Sequence, residues 1–198
     1  SDHWEDNFHQ VLETLRDLIR EGKLRHVGIS NETPWGTMRY LEESKVHATL
    51  PRTITIQNPY NLLNRLFEVG LSEIAIREKI GLLAYSPLGF GALSGKYLGG
   101  RMPEGSRVAL FPNYNRYNGE MATQATQKYY ELAQANNLSL AQMSLAFVNT
   151  RPFVTSNIIG ATSVKQLREN IASIDVELSE EVLKGIEAIH NQIPNPAP

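Results

Sequence analysis

Four short segments of this 198-residue chain end apolar, strand-forming runs in polar residues. They are Gly28-Ile29-Ser30-Asn31, Ile56-Gln57-Asn58-Pro59-Tyr60-Asn61, Ala84-Tyr85-Ser86-Pro87-Leu88-Gly89 and Ile158-Ile159-Gly160-Ala161-Thr162-Ser163. Serine, asparagine and glutamine bring hydrogen-bond donors and acceptors together, and tyrosine adds a flat apolar face. In a barrel of alternating strands and helices, such strand ends gather at one face, where a ligand lies. The helix expected after Ser163 adds free N–H groups and a dipole that favour an anion. The chemistry on offer is recognition of a polar, partly anionic ligand.

The elements that position these segments alternate. Phe8, Val11, Leu12, Leu15, Leu18 and Ile19 recur at helical spacing, and Gly22 stands where a C-terminal cap belongs. Strands are expected over residues 26–30, 53–57, 82–86 and 156–160. Helices are expected over 34–46, with Pro34 at a favoured first position, and over 68–78, 121–136, 139–149, 164–173 and 180–191. Residues 88–120 form a long stretch rich in Gly, Pro, Arg and Tyr, and loops of that length are functional or disordered. Four strands, each followed by helix, make an α/β protein with a parallel sheet. A closed barrel needs eight strands, so part of a barrel and a doubly wound sheet both remain open on alternation alone.

The totals set bounds. A net charge of −2 gives no electrostatic reason for a nucleic-acid or anionic-membrane partner. The absence of cysteine excludes disulfides, cysteine-ligated zinc and thiol catalysis. No apolar run reaches the roughly 20 residues that span a bilayer, and no signal peptide opens the sequence, so a cytoplasmic protein is expected. The histidines at 3, 9, 26, 47 and 190 show no metal-ligand spacing, and no metal is expected.

Each candidate residue also has a purely structural reading. Ser30 and Asn31 suit a cap for the helix that begins at Pro34. Ser163 and Gln166 fit a capping box, and Gln166, Glu169 and Asn170 share one helical face that water alone can cover. Tyr85, in an apolar strand, reads as core. The charges of Lys96, Arg101, Arg107 and Arg116 suit a solvated loop.

At these segments the sequence resembles the aldo-keto reductase superfamily, most nearly the branch of Tas-like reductases and potassium-channel β subunits. The resemblance rests on Tyr85-Ser86-Pro87-Leu88 followed by Leu93-Ser94-Gly95-Lys96-Tyr97, and on Ile159-Gly160-Ala161-Thr162 with Gln166-Leu167 and Glu169-Asn170. Gly28-Ile29-Ser30-Asn31 and Gln57-Asn58 precede them in order. It covers the whole chain and implies the C-terminal part, four strand-helix units, of a TIM (β/α)8 barrel. That gives one partial-barrel domain over residues 1–198, a cofactor-covering loop over 88–120 and a tail over 192–198.

The resemblance also implies NADP(H), held in an extended pose without a Gly-rich dinucleotide turn, and this chain has no G-x-G-x-x-G. Ser30, Asn31 and Gln57 are then expected at the nicotinamide carboxamide and Tyr85 against its ring. Ser86, Pro87, Leu88 and Gly91 are expected at the pyrophosphate, with charge from Lys96 and Arg107. Gly160, Thr162, Gln166, Glu169 and Asn170 are expected around the adenosine and its 2′-phosphate. The glycines of the long loop would let it close as a lid.

The family's acid–base group of Asp, Tyr, Lys and His is borne on its first four strands, and this sequence holds none of those segments. His3-Trp4 echoes a His-Trp-Pro motif, but Glu5 replaces the proline and no strand precedes it. No catalytic residue is therefore expected here. The expected activity is NADP(H)-dependent reduction of a small-molecule carbonyl by the parent protein, with the isolated chain inactive. The other implied role is a catalytically silent NADP(H)-binding module that senses redox state for a partner protein. Half a barrel leaves two raw sheet edges, so self-association or a companion N-terminal half is expected.

Overall fold

The computed structural model describes residues 6–111, 113 and 115–198, so His3 and Trp4 lie outside the described residues. Helix α1 (Phe8–Arg20) leads to strand β1 (Val27–Ser30), followed by β2 (Thr53–Pro59), β3 (Gly81–Tyr85) and β4 (Val154–Asn157). Helices α2 (Pro34–Val46) and α3 (Leu71–Arg77) connect the first three strands. Between β3 and β4 come α4 (Arg107–Leu110), α5 (Glu120–Ala135) and α6 (Leu140–Asn149). Helices α7 (Val164–Ala172) and α8 (Glu180–Gln192) follow β4.

All strand pairs are parallel, and the spatial order is β1-β2-β3-β4. A doubly wound sheet reverses direction at a switch point, and no reversal occurs among the described residues. The sheet is an α/β wall consistent with four units of a (β/α)8 barrel. On one face Ile56, Leu82 and Ala84 are wholly buried in the core shared with the helices. The alternate residues form a crowded opposite face. A β-carbon on Gly28 would lie 2.4 Å from Thr55 Oγ1, and one on Gly81 would lie 1.7 Å from Thr155 Oγ1. Only glycine admits the neighbouring strand's threonine at that range.

Local chemistry fixes most element ends. Gly22, at φ 74°, closes α1: its N–H donates to Ile19 O at 2.9 Å and that of Lys23 to Leu18 O at 2.9 Å. Thr33, Ser139, Ser163 and Ser179 each accept a backbone N–H at the start of α2, α6, α7 and α8.

Three expected elements shift. The helix expected over 68–78 divides into a 3-10 turn (Leu66–Glu68) and α3, because Gly70 turns the chain at φ 101°. The fourth strand runs from Val154 to Asn157 rather than over 156–160. Its partner β3 ends at Tyr85 and Ser86 turns left-handed at φ 54°, so Ile158 makes one last bond, to Ala84 O at 2.8 Å. The loop over 88–120 is not featureless: it holds two 3-10 turns (Gly89–Ser94 and Leu98–Gly100) and α4.

The terminal segment over 192–198 is not a free tail. Ile193 and Ala197 are buried, Ala197 N–H donates to Leu63 O at 3.1 Å, and Asn195 Oδ1 accepts from Arg65 N–H at 2.7 Å. Apolar side chains between its prolines reward docking.

Arg65 anchors this region from inside. Its side chain is 4% exposed, with Nε and Nη2 donating to the two carboxylate oxygens of Glu68 at 2.9 and 2.8 Å. Nη1 lies 3.0 Å from Glu187 Oε1 on α8, and the guanidinium stands 5.2 Å from the Phe147 ring centre. The Tyr60 hydroxyl also donates to Glu68.

His190 on α8 lies beside this group. Burial first, and then the Arg65 charge, lower its pKa from the ordinary 6.5, against an opposing pull from Glu68 and Glu187. The unfolded chain therefore binds the extra proton first as acid is added. This stabilising contribution is full above pH 6.5 and is lost as pH falls through the lowered native value. We expect the slope of unfolding free energy against pH just below 6.5 to flatten in His190→Gln, measured by urea denaturation.

Candidate functional site

The ladder register aligns the strand ends. Ser30 stands opposite Gln57, Gln57 opposite Leu83, and Leu83 opposite Ser156. Ser30, Gln57 and Tyr85 share the face of Gly28, Thr55 and Gly81 by strand alternation. Ser30 Oγ donates to the Gln57 carbonyl at 2.8 Å. Asn31 N–H donates to Asn58 Oδ1 at 2.8 Å, and Tyr85 OH donates to Asn31 Oδ1 at 2.8 Å. One hydrogen-bonded set thus ties the ends of β1, β2 and β3, and the exposed Gln57 amide stands beside it. Ser30 and Asn31 do not cap α2, since Thr33 Oγ1 accepts from Gly36 N–H at 3.1 Å.

The next group lies where the chain leaves β3. Asn31 and Ser86 both adopt φ 54°, and asparagine tolerates that region better than serine. Ser86 is held by its carbonyl, which accepts from Gly89 N–H at 2.9 Å and from buried Asn61 Nδ2 at 2.9 Å. Asn61 Oδ1 accepts from Leu63 and Asn64 N–H at 2.9 and 3.0 Å, so the exits of β2 and β3 are joined. Pro87 is buried and Leu88 half-buried. Gly89, Phe90 and Gly91 then follow at positive φ, bringing Lys96 over the turn. A β-carbon at Gly91 would lie 2.8 Å from Lys96 Nζ. Arg107 is exposed with its guanidinium 5.0 Å from the Phe90 ring centre.

A third group closes the start of α7. Gln166 N–H donates to Ser163 Oγ at 3.2 Å, while Gln166 Oε1 accepts from Thr162 N–H and Oγ1, both at 2.9 Å. Asn170 Nδ2 donates to the Gly160 carbonyl at 3.2 Å. Gly160, Thr162, Gln166 and Asn170 are thus one knot. Glu169 stands apart, exposed, with Lys165 Nζ 3.9 Å away.

Three contributors lay outside the sequence reading of the site. Asn58 and Asn61 sit in the polar strand-end motif, and that placement was their only signal. Tyr117, buried and edge-on to Phe90 at 5.0 Å, pins the long loop to the turn after β3. Burial pushes its phenol above the ordinary range. The fold also brings His9 to Glu43 and His47, a grouping that their spacing along the sequence does not show.

The profile of the Aldo/keto reductase family matches residues 2–191. The chain belongs to the aldo/keto reductase family. It is 52% identical over 188 residues to "Protein tas" of Escherichia coli (strain K12), covering 95% of this chain and 54% of that protein. It is 43% identical over 166 residues to an "Aldo-keto reductase" of Babesia bovis, covering 81% and 58% respectively. It is 34% identical over 172 residues to "L-glyceraldehyde 3-phosphate reductase" of Escherichia coli (strain K12), covering 84% and 49%. The chain spans about half the length of these curated relatives. Among the described residues no helix is long and apolar enough to cross a membrane.

The Tyr85–Asn31 bond joins strands that do not pair directly, so its loss is readable as stability. Tyr85→Phe is expected to lower the unfolding free energy by about 1 kcal/mol in urea titration, the worth of one hydrogen bond. An unchanged value would mean that water serves Asn31 equally well.

Proposed function

We propose that this aldo/keto reductase chain is the cofactor-binding part of an NADP(H)-dependent carbonyl reductase. The observation that carries the reading is the shared edge: Ser30, Asn31, Gln57 and Tyr85 lie on three adjacent strand ends and are linked by hydrogen bonds. NADP(H), when held there, would supply the hydride. Ser30, Asn31 and Gln57 provide the mixed donors and acceptors that a carboxamide needs, and the Tyr85 ring gives a flat wall for the nicotinamide. The hydroxyl bond to Asn31 fixes that wall's orientation.

The turn after β3 suits a pyrophosphate. Ser86, Pro87, Leu88 and Gly91 hold the backbone, and the missing side chain of Gly91 lets Lys96 Nζ stand over it. Arg107, on the neighbouring loop, adds a second positive charge. At α7 the knot of Gly160, Thr162, Gln166 and Asn170 presents a preformed surface at a helix start, the natural seat of a phosphate. Gln166 and Asn170 each spend one amide atom on the knot and keep the other for an adenosine. Glu169 borders that surface. The proton that completes carbonyl reduction comes from residues outside this chain, so the chain alone binds and does not reduce.

The same reading makes the sheet's edges functional. Among the described residues β1 and β4 each leave one side unpaired. Ile158, Val164, Leu167, Ile171 and Ile174 are exposed large apolar side chains in and around α7. A groove of about 300 Å³ between β4 and α7 is lined by Val154, Ile159, Ile171 and Ile174 among others. Exposed edges beside apolar surface favour pairing with further strands. The working unit is therefore a closed barrel, completed by a companion half or by a second copy.

Two measurements test these readings separately. Fluorescence titration with NADPH and with NADH should show saturable quenching, stronger for NADPH and weakened in Gln57→Ala and Lys96→Ala; equal, non-saturable signals would refute cofactor binding by this chain. Sedimentation should show a mass above the 22.2 kDa of one chain; a stable NADPH-binding monomer would refute the need for closure.

A further inference from the structure

A side-chain cluster away from the strand ends has the composition of a metal site. His9 lies in the first turn of α1, Glu43 in the last turns of α2, and His47 at the α2 C-terminal cap. Their ligand atoms all lie within 4.8 Å of one another. Glu43 Oε2 is 3.1 Å from His9 Nδ1 and 3.7 Å from His47 Nε2. The two imidazoles meet edge-on with ring centres 4.6 Å apart. Around a tetrahedral zinc ion with bonds of about 2.0–2.1 Å, neighbouring ligand atoms stand about 3.3 Å apart. The two carboxylate-to-imidazole separations bracket that value before any side chain moves.

The surroundings orient two of the three ligands. Arg39 Nη2 donates to Glu43 Oε1 at 3.2 Å, which leaves Oε2 to the imidazoles. Glu13 Oε2 lies 3.9 Å from His9 Nε2, a carboxylate partner on the far side of the ring from Glu43. His9 Nδ1 and Glu43 Oε2 stand at hydrogen-bond distance, and a metal ion bound there would take the place of the proton between them. Glu43 is 16% exposed, while the histidines are 46% and 47% exposed, so an ion can enter from solvent.

We propose that His9, Glu43 and His47 form a divalent-metal site, best matched to zinc with water as fourth ligand. Two imidazoles and one carboxylate suit Zn²⁺ and its late first-row neighbours, and offer too few oxygens for Ca²⁺. The site joins α1 to α2. Leu12 is the one fully buried residue of α1, so a bond of this kind holds a lightly anchored helix.

The test is calorimetric titration of ZnCl₂ into the untagged 198-residue chain and into His9→Ala, His47→Ala and His26→Ala, in a non-chelating buffer. His26 is exposed and lies outside the cluster. Expected are one Zn²⁺ per chain for the wild type and His26→Ala, and affinity about tenfold or more weaker in each of the other variants. Circular dichroism checks that the variants fold. If one does not, histidine NMR of the wild type decides, since Zn²⁺ should move the His9 and His47 imidazole signals and leave His26 and His190 in place. Zinc binding that survives both cluster substitutions, binding lost in His26→Ala, or unmoved His9 and His47 signals would overturn the proposal.

Discussion

The structure depends on one buried charge. Arg65 sits between the 3-10 turn before α3, helix α6, helix α8 and the C-terminal segment, and reaches all four through Glu68, Phe147, Glu187 and Asn195. A guanidinium taken out of water is tolerated only when its donors are met, and removal of one partner from such a buried pair costs about 3–5 kcal/mol. The lower end applies here, because Glu68 and Glu187 keep some contact with water. Burial alone would depress the Arg65 pKa, yet the hydrogen bonds to Glu68 and the ion pair with Glu187 hold it above its ordinary value. Burial would likewise raise the Glu68 carboxyl, and the bonds from Arg65 and Tyr60 bring it below the usual range.

That anchor reaches the site through a short relay. The Arg65 backbone is fixed by Asn195, Asn64 is paired with Asn61, and Asn61 holds the carbonyl of Ser86. The left-handed turn after β3 is therefore braced from the core side, which is what a serine at φ 54° requires. Tyr117 braces the same turn from the long loop. Strain at Ser86 is offset by hydrogen bonds and packing on both sides, and the Gly89–Gly91 backbone is held in place beneath Lys96.

Much of the fold was legible because its signals are local. Caps at Ser139, Ser163 and Ser179, the Gly22 terminus and the proline at the start of α2 act within a few residues, and so did the apolar runs of β2 and β3. The polar strand ends were legible for the same reason, since alternation and parallel pairing bring them to one edge. What stayed hidden depends on distance along the chain. Arg65 reads as a surface residue until Glu187, 122 positions later, is beside it. His9 and Glu43 are 34 positions apart and meet only when α1 crosses α2. Ile158 and Ile159 look like strand, yet β3 had no further residues to pair with them. The prolines near the end read as a tail because their spacing says nothing of Leu63.

The interlock of Gly28 with Thr55, and of Gly81 with Thr155, has a geometric consequence for the sheet as a whole. Glycine faces threonine across each of its three seams on the crowded side: Gly28 and Thr55, Thr55 and Gly81, Gly81 and Thr155. A side chain at either glycine would have to push a neighbouring strand aside, so two residues without side chains hold the spacing of the whole sheet.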